Sequence, residues 1–390
     1  MMTLKINRRL KDVLGSSTLA ITAKAKELKD QGKDIVNFAA GEPDFDTPDS
    51  IKQSAIHAIQ QGKTKYTPSI GTLELREAVI KKFKADNKID YQLNQVAVSC
   101  GAKHSIFNII QTITDEDDEV LIPAPYWVSY PEMVKIAGAT PKFVPTSLKT
   151  HFKITAEQLS KNITPKTRLL ILASPSNPTG MLYTKEELEP IAKICVKHNI
   201  FVLSDEIYDK LIYDNLQSAS IASLGKEIYD LTFTVNGVSK AYSMTGWRIG
   251  YAAGNPQVMS FINKFQDHST SNPSSISQAA ALQALNEPIE KINAMRDKFK
   301  HRRDLMMSLF DSISEVSYIK PQGAFYLFCD FSKLGNSADI AKRILEDVNV
   351  AIIPGDSFGA PGFIRLSFAT SEERITEGVH RIGQWIKKNS

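Results

Sequence analysis

The sequence predicts an α/β protein in which a mostly parallel sheet, covered by helices, is joined to a smaller α+β unit. The chain has 390 residues, more than one hydrophobic core normally accommodates, so two domains are expected. Between about residues 96 and 254, short apolar strands alternate with helical segments, which favours a parallel sheet. After residue 288, a long polar helix precedes further strands, a pattern typical of an α+β unit.

The order of these elements also predicts where the domains divide. We expect a large domain over 49–288 and a small domain formed by 1–48 together with 289–390, because the last two ranges lie outside the alternating region. The large domain should open with a helix capped by Asp49 or Ser50, since short polar side chains accept hydrogen bonds from the first N–H groups of a helix.

Composition argues against several classes of function. Hydrophobic residues make up 42% and charged residues 23% of the chain, as in soluble globular proteins. The net charge is +4, but both signs are mixed along the chain, so a nucleic-acid partner is not expected. No apolar run approaches the ~18–20 residues needed to cross a bilayer, and the first residues lack the apolar core of a signal peptide.

The cysteines indicate the compartment. Cys100, Cys195 and Cys329 lie far apart and show no paired spacing. This pattern predicts neither a disulfide framework nor a metal site, and it fits a reducing cytoplasm.

The first strand end of the sheet resembles an anion site. Ligands of open α/β sheets bind outside the carboxyl ends of the strands. After "VAVS", a glycine turn at Gly101 opens directly into a helix, whose free N–H groups and positive dipole end suit a phosphate. A tight turn without a ligand is the alternative, and the glycine patterns of dinucleotide sites and of P-loops are both missing.

The next three strand ends each carry a candidate side chain. Trp127 follows "EVLIPAP" and could stack on a flat ligand or pack in the core. Asn177 is held between two prolines in "PSNPTG", where a plain turn asparagine is the alternative. Asp205 ends a buried strand and needs a partner, which a structural salt bridge could provide, and Tyr208 lies three residues on.

The last strand end, "SKAYSMTGWRIGY" at 239–251, carries the most informative residue. Lys240 lies in surroundings that suit a buried loop, where desolvation lowers the pKa of an amine and makes it a nucleophile toward carbonyls. Arg248 follows as a partner for an anion. Together, the five strand ends offer a lysine, an acid, a stacking ring and phosphate donors, the set that pyridoxal 5′-phosphate requires.

Seven motifs in order resemble one family. They are "AAGEPDFDTP", "KTKYTPSIG", "PYWVSYPEMV", "SPSNPTG", "SDEIYD", "SKAYSMTGWRIGY" and "IRLSFATSEE". They identify the chain, from about residue 5 to 385, as similar to the class I aminotransferases of fold type I. Within that family it resembles the branch of bacterial aspartate and prephenate aminotransferases.

The resemblance implies a role for each cofactor contact. Lys240 would bind the cofactor and move the substrate's α-proton, and Asp205 would pair with the pyridinium nitrogen. Tyr208 and Asn177 would hydrogen-bond the ring's phenolic oxygen, and Trp127 would stack on the ring. The residues implied around the phosphate are Gly101, Ala102, Lys103, Ser239 and Arg248, with Tyr66 from a second subunit. A site completed across subunits implies a homodimer.

The resemblance also implies how the substrate binds. Arg365 would hold the α-carboxylate, helped by Asn177, Trp127 and the backbone of Gly41. The strand pattern of "FIRLSF" supports this role, because its apolar residues share one face and turn the arginine to the other, with no local acid. An ion pair with a distant acid is the alternative. Lys103, helped by Thr18, would recognise an acidic side chain, unless it is only a helix-start residue near the phosphate.

The expected activity is reversible ping-pong transfer of an amino group from L-aspartate to 2-oxoglutarate. Family members that accept prephenate carry a Lys-Pro pair where this chain has Leu14 and Gly15, which argues against that second substrate. The alternatives are an aromatic, kynurenine-type or prephenate aminotransferase of the same fold, and a pyridoxal-phosphate C–S β-lyase. A regulator built on this fold would need an added DNA-binding domain.

Overall fold

The computed structural model describes residues 6–389 and contains a seven-stranded central sheet. In spatial order, its strands are Val96–Ser99, Gly250–Ala253, Thr232–Gly237, Phe201–Asp205, Thr167–Ala173, Glu119–Ala124 and Thr140–Pro145. Gly250–Ala253 runs antiparallel to both of its neighbours, and the remaining pairs are parallel. The predicted mostly parallel sheet is therefore confirmed.

Helices cover both faces of this sheet, as predicted. The α-helices of residues 6–389 are Ser17–Asp30, Asp49–Gln60, Leu73–Lys82, Ala102–Ile113, Ser129–Ala137, Ala156–Asn162, Lys185–His198, Lys226–Leu231, Pro256–Asp267, Ser275–Leu285, Ile289–Phe310, Ser337–Val348 and Glu372–Asn389. Alternate strand residues enter different cores, because successive side chains point to opposite faces. Leu169 packs with Ile106 and Ile109 of one helix, whereas Leu170 packs with Ile191 of another on the opposite face.

A second sheet forms the carboxyl-terminal part of the fold. Its four antiparallel strands are Ile353–Pro354, Phe363–Ser367, Tyr326–Asp330 and Ser317–Tyr318, in that spatial order. A separate parallel pair joins Val36–Asn37 to Val350–Ala351, so the amino-terminal segment packs with this part of the chain.

The domain boundaries proposed from the sequence, 49–288 against 1–48 with 289–390, remain a prediction. The ends of the predicted small domain, residues 1–5 and residue 390, lie outside the described residues. Within 6–389, no helix is long and apolar enough to cross a membrane.

The predicted cap of the helix that begins near residue 49 is wrong. Pro48 precedes this helix, no side chain caps its first N–H groups, and Asp49 is already its first residue. The proline ring fixes a backbone angle that suits a helix entry. Asp49 instead forms an ion pair with Lys52 at 2.7 Å and places negative charge at the positive end of the helix dipole.

Candidate active site

The carboxyl ends of the parallel strands line a cavity of about 370 Å³. The cavity brings together most of the residues that the sequence singled out, although they are spread over nearly the whole chain. These are Thr18, Gly41, Ala102, Lys103, Trp127, Asn177, Asp205, Tyr208, Ser239, Lys240, Arg248 and Arg365.

Two predicted residues do not line this cavity. Gly101 lies directly behind it, at a φ of 91°, and a Cβ there would lie 2.3 Å from a guanidinium nitrogen of Arg248. Glycine therefore allows that arginine to pack against the start of the helix. Tyr66 is 92% exposed and lies on the surface of its own chain.

Lys240 follows the central strand Thr232–Gly237 and projects into the cavity. Its Nζ donates a hydrogen bond to the carbonyl of Gly41 at 2.7 Å. Desolvation lowers the pKa of Lys240 to about 8, with Glu42 opposing the shift and Arg248 adding to it. A neutral, nucleophilic amine is thus accessible near neutral pH.

Asp205 ends the neighbouring strand and is buried. Tyr130 donates a hydrogen bond from Oη to Oδ2 at 2.6 Å, and the backbone N–H of Ile207 donates to Oδ1 at 3.3 Å. Burial raises the pKa of Asp205, and these two bonds act against that rise. Its hydrogen-bond partners in 6–389 are a hydroxyl and an amide rather than the cation of a structural salt bridge.

Arg365 lies on the strand Phe363–Ser367 and is 1% exposed. Its Nη1 donates to Oδ1 of Asn177 and its Nη2 to the carbonyl of Ala39, both at 2.9 Å. Its Nε is buried and has no hydrogen-bond partner in the described chain. The distant acid that the sequence left open is not among these contacts, and a buried cation held only by neutral oxygens can accept an anionic ligand.

The start of the helix Ala102–Ile113 and Arg248 form one wall of the cavity. The guanidinium of Arg248 is oriented by the carbonyls of Thr245 at 2.8 Å and Cys100 at 3.3 Å. A Cβ at Gly250 would lie 2.0 Å from the backbone nitrogen of Ala102, so the strand passes close behind the helix start. First-turn N–H groups have no intrahelical partner, and with the guanidinium they suit a phosphate.

Aromatic rings and hydroxyls complete the lining. Lys103 lies over the ring of Trp127, 5.0 Å from its centroid. Burial lowers the pKa of Lys103, and the charge of Arg248 lowers it further. Thr18 presents a buried Oγ1 without a partner in residues 6–389. Such an unpartnered hydroxyl in a cavity that also contains a lysine is suited to a polar ligand.

The cavity therefore fits pyridoxal 5′-phosphate. An amine, an acid, an aromatic ring and a helix start suited to an anion line the same cavity. The orphaned Nε of Arg365 leaves hydrogen-bonding capacity for a further anion. No cluster of metal-ligating side chains occurs in the part of the chain that the structure describes.

Sequence reasoning missed two tyrosines of the cavity. Tyr130 lies three residues after Trp127, within the same motif, and helical spacing could have placed it on the same face. Tyr326 lies 3.0 Å from Tyr208, oxygen to oxygen, and its ring centroid is 4.3 Å from the guanidinium of Arg365. No local signal marks it, because its position depends on pairing with the strand that carries Arg365.

Comparisons with known proteins give a consistent result. The sequence model of the family "Aminotransferase class I and II" matches residues 33–382. The aspartate aminotransferase of Bacillus sp. (strain YM-2) is 49% identical over 97% of this chain and 98% of its own length. The probable aspartate/prephenate aminotransferase of Aquifex aeolicus (strain VF5) is 46% identical over 97% of this chain and 98% of its own.

A solved structure extends this likeness to three dimensions. The structure of Thermus thermophilus aspartate aminotransferase with maleate has a TM-score of 0.94 and 40% identity, and the match covers 98% of this chain and 100% of that chain.

Proposed function

This chain belongs to the aminotransferase class I and II family, and we propose that it transfers the amino group of L-aspartate to 2-oxoglutarate. The products are oxaloacetate and L-glutamate, released in a reversible ping-pong sequence. The enzyme is pyridoxal-phosphate-dependent by its family. Relatives named aspartate aminotransferase, 46–49% identical over nearly the whole chain, support the donor.

The cavity offers a holder for each part of the cofactor. Asp205 would accept a hydrogen bond from the protonated ring nitrogen, and Tyr208 would hydrogen-bond the phenolic oxygen. Asn177 already accepts from Arg365 through its oxygen, so its amide N–H groups remain to donate to that same phenolic oxygen. Trp127 would stack on the ring. The phosphate would be held by Ala102, Lys103, Ser239 and Arg248, with Gly101, which precedes the helix, allowing the arginine its position.

Lys240 does the proton transfer in this proposal. When bound, the cofactor supplies an electron sink for negative charge at the α-carbon of the amino acid. The amine of Lys240 would hold the cofactor covalently at rest. Once the amino group of the substrate has displaced it, the freed amine would take the proton from that α-carbon and later return a proton. Its pKa of about 8 suits this role, because a general base works best when its pKa lies near the operating pH.

The observation that carries the substrate class is the pair of cations in one cavity, Arg365 and Lys103. A dicarboxylic amino acid has two carboxylates, and each cation can take one. Arg365 binds the α-carboxylate with the help of Asn177 and the backbone of Gly41. Lys103, with the free hydroxyl of Thr18, binds the side-chain carboxylate.

A second copy of the chain completes the site in this proposal. Tyr66 reaches the phosphate of the partner's cofactor, since it is 92% exposed and lies outside its own cavity. Exposed apolar residues on the neighbouring helix, Ile56 and Ile59, suit burial in such a homodimer. We place the enzyme in the cytoplasm, because Cys100, Cys195 and Cys329 are all unpaired.

A half-reaction without acceptor tests the donor. The protein loaded with cofactor is mixed separately with aspartate, glutamate, phenylalanine and kynurenine, and the absorbance change of the cofactor is followed. Rapid conversion by aspartate and glutamate alone is expected. Rapid conversion by aromatic donors would keep the fold and the role of Lys240 but overturn the proposed substrate. Pyruvate release from a separately added amino acid with a C–S bond at its β-carbon, without a keto acid, would indicate the β-lyase.

Prephenate is the second candidate acceptor, because relatives named aspartate/prephenate aminotransferase are 46% identical to this chain. Leu14 stands where such enzymes are expected to carry a lysine. It is 71% exposed, and its backbone N–H is held by Glu132 at 2.8 Å. We expect poor turnover of prephenate with glutamate as donor, and Leu14→Lys with Gly15→Pro should raise it.

A further inference from the structure

Tyr130 lines the cavity, and the mechanism above gives it no task. It lies on the helix Ser129–Ala137 and is 3% exposed. Its ring packs edge-on against Trp127, with centroids 5.3 Å apart. Its hydroxyl donates to Asp205 at 2.6 Å, a distance typical of a bond to an ionised carboxylate.

Few groups face the carboxylate of Asp205. They are Tyr130 from the helix, Lys240 from the loop after the adjacent strand, and Tyr208 and the N–H of Ile207 from its own turn. Lys240 and Tyr208 act on it through their charge and dipole rather than through a hydrogen bond. Tyr130 is thus the side-chain donor that Asp205 has within the described residues.

We propose that Tyr130 is a positioning residue that keeps Asp205 ionised and fixed in orientation toward the cofactor's ring nitrogen. The inference rests on the proposed function, in which Asp205 pairs with that nitrogen. A neutral carboxyl group would lose the charge that stabilises a protonated ring. Without the proton, the ring is a weaker electron sink.

The hydroxyl of Tyr130 is also kept in its protonated form, in which it can donate. Burial raises the pKa of Tyr130 well above its ordinary value, and the charge of Asp205 raises it further. The hydroxyl therefore stays protonated throughout the working pH range. Its proton lies on the bond to Asp205, so the same contact that orients the carboxylate favours its charged form.

Replacement of the hydroxyl tests this role. The full-length protein and its Tyr130→Phe variant are titrated with pyridoxal 5′-phosphate from pH 5 to pH 9, and the absorbance of the bound cofactor reports the affinity. Affinity should rise with pH as Asp205 ionises. In the variant we expect this rise in affinity to occur about one pH unit higher, because a hydrogen bond to the ionised carboxylate is lost. At pH values below the rise, the variant should bind the cofactor about tenfold more weakly than the wild type does.

Tyr91→Phe is the matched control. Tyr91 is 1% exposed and shares one side-chain hydrogen bond with Thr234 at 2.9 Å, but it lies outside the cavity. It should lose a comparable amount of stability without moving the pH profile. A Tyr130→Phe profile that matches the wild type, or that is lowered equally at every pH, would overturn the inference and leave Tyr130 as packing.

Two further measurements distinguish a failure of this inference from a failure of the proposed function. Tyr130→His retains a ring N–H donor and should restore the wild-type profile, and it carries the test if the phenylalanine variant does not fold. A histidine variant that folds but behaves like a variant without a donor contradicts the inference. A wild-type protein that does not bind pyridoxal 5′-phosphate at any pH would instead overturn the proposed function.

Discussion

Two arginines of this protein are almost completely buried, and they are partnered in opposite ways. Arg303 is 0% exposed and donates to both carboxylate oxygens of Asp214, at 2.9 and 3.0 Å, and to Asp304 at 2.8 Å. Arg365 is 1% exposed and donates only to the neutral oxygens of Asn177 and Ala39. The chain provides the counter-charge for the first arginine and leaves the second without one.

Two lysines repeat the contrast. Lys82 is buried beside Asp209 and Asp86, and although burial lowers its pKa, these carboxylates raise it above the ordinary value. Lys240 bonds only to the carbonyl of Gly41, and desolvation brings its pKa down to about 8. Both cations without a bonded acid line the candidate active site, and both paired ones lie outside it.

A structural cation and a ligand-binding cation differ in whether the chain itself supplies the counter-charge. Burial of a charge costs several kcal/mol unless a counter-charge compensates it. Where the chain supplies the carboxylate, the pair is part of the fold. Where the chain withholds it, a ligand can supply the compensating anion, which in the function proposed above is a substrate carboxylate for Arg365.

The largest effects on turnover and stability are expected from replacing Lys240 and Lys82, each in a separate variant, by alanine. Lys240→Ala is expected to lower turnover of aspartate by roughly 10⁴-fold, because it removes both the nucleophile and the general base. Its free energy of unfolding should change by less than about 1 kcal/mol, since no ion pair is broken. Single-turnover absorbance and denaturant titration measure the two quantities.

Lys82→Ala is the matched control and should show the opposite behaviour. It leaves the carboxylates of Asp209 and Asp86 without their partner, so we expect a loss of about 3–5 kcal/mol of stability. Turnover per folded molecule should stay within a few-fold of the wild type. Near-normal turnover by Lys240→Ala would break the comparison and the assignment of the site with it.

The two cations of the cavity can be separated by substrate. Arg365→Ala should lower kcat/KM for every amino acid alike, whereas Lys103→Ala should affect dicarboxylic donors selectively. Each loss should be about two to four decades, the cost of leaving a desolvated carboxylate unpaired. Half-reactions with aspartate and alanine as donors measure both. Equal losses on the two donors in Lys103→Ala would contradict its role in selectivity.

The sequence predicted the contents of the cavity because strand ends are local signals. Asp205 ends an apolar strand, and Asn177 and Lys240 lie in the loops that follow two others. Parallel strands bring such positions to one edge of the sheet. The role of Arg365 was implied by the family resemblance, and period-two alternation within its strand supported it.

The hydrogen-bond and ion-pair partners of the buried arginines could not be predicted in the same way. Arg303 and Asp214 are 89 positions apart, and no pattern in the sequence distinguishes this arginine from Arg302 beside it. Tyr326 contacts Arg365 through strand pairing, which depends on the whole sheet. Local patterns therefore identify a charged group but do not show whether the chain supplies its counter-charge. The presence or absence of that counter-charge is what separates Arg303 from Arg365.

Arg303→Ala tests the structural side of the comparison. It should cost roughly 3 kcal/mol of unfolding free energy, the lower end for a broken buried pair, because Asp214 and Asp304 stay partly exposed and can be solvated. The kcat/KM for aspartate should change less than threefold, since Arg303 does not line the cavity. A loss of activity similar to that of Arg365→Ala would show that pairing does not separate the two roles.

The smallest expected effect is the pH dependence of the stability that Asp214 contributes. The hydrogen bonds from Arg303 hold the pKa of Asp214 well below its ordinary value, and Lys320 lowers it further. A carboxyl group with a depressed pKa in the folded state contributes stability that is present above its unfolded pKa of about 3.9 and is lost as the pH falls below it. Asp214→Asn should thus destabilise the protein by about 1–2 kcal/mol at pH 7.

The difference in unfolding free energy between wild type and Asp214→Asn should shrink as the pH falls from 4 toward 2. In that range Asp214 takes up a proton in the unfolded chain but stays ionised in the folded one, because its pKa is depressed there, and this favours the unfolded wild type. Denaturant titrations at matched ionic strength measure it. A difference that stays constant over this range would mean that Asp214 stabilises the fold through packing rather than through its charge. The contrast between Arg303 and Arg365 would then rest on the ion pair with Asp304 alone.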